Sequence, residues 1–165
     1  MLSYILKNGQ PTALSHILKN GKAVMVNVKD KVSTLRTANA TATIKVPGSI
    51  YVNILENNNK KGDIIGPSRV AGIMAAKKTS ELIPMCHQIN LDSIEVDIKS
   101  YNKNEFTVTS TIQTNYKTGV EMEALTAVSI ASLTFYDMCK ALSHNIIISN
   151  IKLIEKTGGK SNKIN

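Results

Sequence analysis

Leu91-Asp92-Ser93-Ile94-Glu95-Val96-Asp97-Ile98-Lys99 and Phe106-Thr107-Val108-Thr109-Ser110-Thr111-Ile112 each alternate apolar with polar side chains. A period of two is that of a β-strand with one face packed and the other wet. The polar stretch from Ser100 to Glu105 joins them as a hairpin loop. On the N-terminal side, Pro67-Ser68 opens a helix whose Val70, Ile73, Met74, Lys77 and Leu82 keep the helical period until Pro84, where Met85-Cys86-His87 emerges. On the C-terminal side, Gly119 precedes Val120-Glu121-Met122-Glu123, and a long helix then runs to about Leu142, apolar on nearly every side. Such a helix is buried or packed between subunits. Ile146-Ile147-Ile148 and Ile151-Lys152-Leu153-Ile154 form a last strand. Near the front, Ala23-Val24-Met25-Val26-Asn27-Val28 and Ala40-Thr41-Ala42-Thr43-Ile44-Lys45-Val46 read as strands, and Pro47-Gly48-Ser49 opens a short helix through Leu55. Strand, helix, hairpin, helix, strand is the order of a ferredoxin-like α+β sandwich, an antiparallel sheet with helices on one face, here with an N-terminal extension.

The 165 residues suffice for one hydrophobic core, burying roughly 70% of the unfolded surface with no help from disulfides or metal. Twenty Lys and Arg against 12 Asp and Glu leave a charge of +8, which favours anionic partners: nucleic acid, a membrane surface or a phosphorylated small molecule. No apolar run approaches the roughly 18 residues of a membrane span. Two cysteines, Cys86 and Cys139, suit a reduced, cytoplasmic setting, and the first 13 residues make a poor secretory signal. Leu2-Ser3-Tyr4-Ile5-Leu6-Lys7-Asn8-Gly9-Gln10 is nearly repeated as Leu14-Ser15-His16-Ile17-Leu18-Lys19-Asn20-Gly21-Lys22. This duplication is too short for a solenoid and reads as a mobile or surface-draped arm without a catalytic role.

Three places could carry chemistry. Between Ala124 and Leu142 the only fully ionised side chains are Asp137 and Lys140, which share one helix face at i, i+3. Burying either alone costs several kcal/mol or shifts its pKa, so the pair is either a self-satisfied ion pair or an acid/base pair tuned by desolvation. Met85-Cys86-His87 sets a thiol and an imidazole on a loop; neighbours in extended chain point apart, and no Cys or His spacing of a zinc site is present. Gly158-Gly159-Lys160-Ser161 resembles the end of a phosphate-binding P-loop, yet Ile154 stands where the first glycine belongs. The glycines still allow backbone N–H groups, with Lys156 and Lys160, to approach an anion. Lys60, Lys61, Arg69, Lys77, Lys78 and Lys117 add cations that suit a polyphosphate as well as a solvated surface.

The segments from Ala71 to His87, from Thr118 to Ala127 and from Thr134 to Ala141, with Lys61-Gly62-Asp63, Arg69 and Lys160-Ser161, together resemble the cyclic pyranopterin monophosphate synthase family of molybdenum cofactor biosynthesis. The resemblance spans about Leu14 to Ser161, which sets residues 1–13 apart as a mobile arm and 14–165 as a single catalytic domain. It implies a cytoplasmic homohexamer, a trimer of dimers with active sites at subunit interfaces. It also implies a lyase that rearranges 3',8-cyclo-7,8-dihydroguanosine 5'-triphosphate to cyclic pyranopterin monophosphate and releases pyrophosphate. Asp137 and Lys140 match the catalytic positions. Met85, Cys86, His87, Met122 and Glu123 match substrate-binding segments, Glu123 at the purine edge, and Lys61, Arg69, Lys77, Lys156 and Lys160 match phosphate or base contacts. No metal site and no required cofactor is implied, although Mg²⁺ can accompany the triphosphate. Neither nucleic acid nor membrane is an expected partner: the candidate strands hold only Phe106 as a stacking aromatic. The sequence departs from the family pattern at Asn27 for Asp, Leu35 for Glu and Gln88 for Pro.

Overall fold

The structure, a computed structural model, describes residues 5–7, 10–12, 16–17, 20–56, 62–159 and 162–164. Two three-residue strands, β1 (Ile5–Lys7) and β2 (Gln10–Thr12), pair as a small antiparallel hairpin. The main sheet follows: β3 (Thr34–Lys45), β4 (Ser93–Asn102), β5 (Glu105–Tyr116), β6 (Ile147–Thr157) and the two-residue β7 (Lys163–Ile164), all antiparallel in the order β4-β5-β3-β6-β7. Four helices intervene: α1 (Gly48–Leu55), α2 (Ile65–Lys77), α3 (Thr79–Leu82) and α4 (Glu121–Cys139). With α2 and α4 as the crossovers, the four long strands have the connectivity and spatial order of the ferredoxin-like sandwich.

Alternation on β3 explains how α4 reaches the sheet. Ala38, Ala40 and Ala42 point inward and are essentially inaccessible, so the helix can lie close, with its own Ala124, Ala127 and Ala131 against them. Bulk returns at the rim of this small-residue strip, where Phe106 of β5 and Phe135 of α4 meet with ring centroids 5.1 Å apart and Tyr51 of α1 joins Phe106 at 5.6 Å. Truncating either Phe would cost about 3–5 kcal/mol. Ser110 of β5 is also buried, and its hydroxyl is satisfied by donating to the Ala124 carbonyl of α4 at 2.8 Å. The opposite face of β3 presents Thr37, Asn39, Thr41 and Thr43, the polar half of the same alternation.

Several sequence expectations need correction. Residues 24–28 form no strand; only Ala23 makes an isolated bridge, to Ile17. No neighbouring strand offers this stretch a ladder, and the Asn27 side-chain oxygen accepts from the Lys29 N–H at 2.8 Å, turning the chain. The helix expected to run to Pro84 breaks at Lys78, because Thr79 turns its hydroxyl back onto the Ala76 carbonyl at 3.0 Å. The hairpin loop shrinks to Lys103 and Asn104, the latter at φ 63°, since both strands keep pairing through polar residues. β6 runs unbroken past Asn150, which takes φ 53° where the β3 register shifts.

Candidate active site

Two cavities adjoin at the N-terminus of α4 and share Lys31, Thr118, Gly119 and Glu121 in their walls. The smaller, about 340 Å³, is lined by Met85, Cys86 and His87, by Met122 and Glu123, and by His16, Val26 and Ile89. The larger, about 590 Å³, gathers Lys31, Arg36, Lys117 and Lys156 against two carboxylates, Asp30 and Glu121, with Gly158 and Gly159 closing one side. A chamber of mixed apolar and ionisable lining therefore opens into one dominated by cations.

Each wall has a local cause. The Cys86 N–H donates to the Ile83 carbonyl at 3.0 Å, so Pro84 and Met85 turn the chain and Met85, Cys86 and His87 all line one cavity. Gly158 sits at φ +83°, and a Cβ there would run into the Leu35 carbonyl, so this position requires glycine. Its own carbonyl accepts from the Thr34 hydroxyl at 2.8 Å, fixing the end of β6 beside β3. Asp63 accepts from the Ile65 and Gly66 N–H groups, at 2.9 and 3.1 Å, and so caps α2.

Two carboxylates two residues apart meet different fates. Glu121 accepts from Lys156 Nζ at 2.9 Å. Glu123 is only 4% exposed and has no such cation; burial pushes its carboxyl up to about 7, helped by the Glu121 charge and opposed by a backbone hydrogen bond. The Cys86 thiol is pushed up by burial and then by Glu123, which keeps it protonated and weakly nucleophilic.

The remaining expected residues lie elsewhere. Asp137 and Lys140 form an ion pair at 2.6 Å at the far end of α4, with side chains 66% and 52% exposed. Fourteen residues of helix separate Asp137 from Glu123, roughly 21 Å. The desolvation expected of an apolar helix is absent around them in the single chain, and Lys140 is not drawn toward neutrality: its hydrogen bond to Asp137 holds it more firmly charged. Arg69 lines neither cavity; its guanidinium donates to Asp97 Oδ1 at 3.0 Å and to the Val96 carbonyl at 3.1 Å, tying α2 to the edge strand β4. Lys99 is the larger influence holding the Asp97 carboxyl low, with Arg69 behind it. Lys77 is exposed and lines neither cavity. Lys61 and Lys160, like most of the first repeat copy, lie outside the described residues. Conversely, Lys31, Arg36 and His16 line the cavities without having stood out in the sequence, since single cations and a lone imidazole carry no spacing signal. Among the described residues, no group of three or more His, Cys, Asp or Glu is arranged to hold a metal, and no helix is long and apolar enough to cross a membrane.

The chain is similar to named proteins over most of its length. Proteins named cyclic pyranopterin monophosphate synthase from two Clostridium perfringens strains, SM101 and 13, are each 50% identical to this chain over 154 residues, covering 92% of it and 97% of the relative. A family model described as the MoaC family matches residues 25–159, from the Met25 turn through every long strand, both crossover helices and the Gly158-Gly159 wall. By that match and that identity, the chain belongs to the MoaC family.

Proposed function

We propose that this protein is a cyclic pyranopterin monophosphate synthase, a lyase that converts 3',8-cyclo-7,8-dihydroguanosine 5'-triphosphate to cyclic pyranopterin monophosphate and pyrophosphate in molybdenum cofactor biosynthesis. The observation that carries the reading is the pair of joined cavities. A purine-derived triphosphate needs a chamber for a flat heterocycle with proton donors and acceptors, continuous with one that neutralises phosphates; these are the two chambers at the start of α4. Its name comes from the C. perfringens relatives, which carry it.

In this reading Glu123 and His87 address the heterocycle, packed by Met85, Cys86 and Met122. Lys156, Lys31 and Arg36, with Lys61 and Lys160, offset the charge of the triphosphate as a cyclic phosphate forms and pyrophosphate departs. Mg²⁺ enters only with the substrate, and the protein holds no cofactor of its own. Asp137 and Lys140 shuttle protons as the imidazole portion opens and re-closes to a pterin. At their distance from the cavities along α4, they serve in this reading the cavity of a neighbouring subunit. The outward faces of the helices support such packing: Val70 and Met74 of α2 and Leu133 of α4 are each more than half exposed. A homohexamer of three dimers, working in the cytoplasm on a small molecule, is the assembly this implies. Phe106, the aromatic of the candidate strands, is 1% exposed and so unavailable for base stacking.

Single-turnover reaction of the purified protein with the cyclised dihydro-GTP tests the function. Equal amounts of cyclic pyranopterin monophosphate and pyrophosphate are expected; consumption without the pterin, or no consumption by folded protein, refutes it.

A further inference from the structure

His16 belongs to the second copy of the duplicated segment, and the two copies differ at this position: Tyr4 stands in the first where His16 stands in the second. Its backbone is fixed. The Val24 N–H donates to the His16 carbonyl at 2.9 Å, and the next residue, Ile17, bridges Ala23. That clamp sets the imidazole into the wall of the smaller cavity, alongside Cys86, His87, Met122 and Glu123. There its Nδ1 is buried and, among the described residues, has no hydrogen-bond partner. Buried polar atoms in folded proteins are nearly always paired, and an unpaired buried nitrogen on a residue of the cavity wall is one that a ligand atom can satisfy.

We propose that His16 is a further substrate-binding residue, whose Nδ1 hydrogen-bonds a polar atom of the nucleotide's fused heterocycle in the smaller cavity. This rests on the synthase reading. It also gives the second repeat copy a task that the first, with Tyr4, does not share. The remaining titratable groups facing this cavity are Lys31, Cys86, His87, Glu121 and Glu123. His16 enters from a different segment than any of them, so its contact fixes the heterocycle from a second side.

Steady-state kinetics of the full-length protein and of His16→Ala, His16→Asn and His16→Gln tests the contact. An Asn amide reaches the position of Nδ1, whereas a Gln amide reaches that of the outer ring nitrogen. Ala and Gln are expected to raise KM about tenfold with kcat little changed, the loss of one substrate hydrogen bond, and Asn to restore most of the affinity. Melting temperatures measured in parallel establish that all three variants are folded. Unchanged KM in every variant, Asn as impaired as Ala, or rescue by Gln in place of Asn would overturn the assignment while leaving the synthase intact. Absence of turnover by the wild-type protein would remove the synthase reading and this contact together.

Discussion

Glu121 and Glu123 show how two residues of helix can separate two environments. Glu121 accepts from Lys156 Nζ at 2.9 Å, while burial raises the Glu123 carboxyl to about 7. The consequence for stability has a definite sign. An unfolded glutamate titrates near 4.5, so between pH 4.5 and about 7 the folded protein binds the extra proton, and stability falls as pH rises through that window. Glu123→Gln mimics the neutral form and should be more stable than wild type at pH 8, by about 2–3 kcal/mol, with the gap closing toward pH 4. Denaturant titrations at the two pH values measure this. If the proton on Glu123 is what the substrate meets, kcat/KM of the wild type should also decline above pH 7, and that limb should vanish in Glu123→Gln. Asp137 behaves differently: its pair with Lys140 is exposed in the single chain, so Asp137→Asn should abolish product formation while leaving the melting temperature unchanged. These residue types were legible in the sequence, but their environments were not. Asp137 and Lys140 stood out as the charges of an apolar helix, and only the fold shows that they sit on its exposed side while Phe135 and Cys139 next to them are buried.

Among the elements, α2 and α4 depend on small residues more than large ones. A Cβ on Gly72 would meet the Ala127 carbonyl at 2.9 Å and Ala131 Cβ at 3.1 Å, so both helix backbones would have to move. Gly72→Ala should therefore destabilise the protein by about 1–3 kcal/mol, even though alanine favours helix elsewhere, and thermal unfolding would register it. The same packing explains why the periodic reading of α2 found a helix but not its inward face. Val70, Met74 and Leu82 are more than half exposed, and Ser68, Gly72, Ala75, Ala76 and Thr79 are buried. A stripe of large apolar residues predicts the buried face only where the partner helix leaves room for them. The hairpin and β3 were legible because their alternation is strict and one face is covered. The stretch from Ala23 to Val28 has comparable composition, but a strand needs a ladder partner, and its neighbours in space are the cavity walls. Of the three departures from the family pattern, Asn27 still supplies the oxygen that closes its turn, and Leu35 and Gln88 are exposed.

For the whole molecule, one chain holds the cavities and, roughly 21 Å away along α4, the Asp137–Lys140 pair. On the proposed reading a subunit completes its site through another copy, for which the exposed apolar residues of α2 and α4 offer a surface. The fold class was readable from element order alone, because strand, helix, hairpin, helix, strand has few sterically sound closures. The proposed division of the site between copies has no local pattern to report it and entered only as what the family resemblance implies. In sedimentation experiments the protein should behave as a hexamer, and added salt should leave it intact if apolar contacts hold it. The most direct measurement mixes Asp137→Asn subunits with Lys156→Ala subunits, each inactive alone, under conditions that allow exchange. Sites built from two chains predict recovery to about a quarter of wild-type turnover, the fraction of sites that pair an intact cavity with an intact acid and base in an equal mixture. No recovery in verified mixed oligomers would place the whole reaction within one chain and contradict this account.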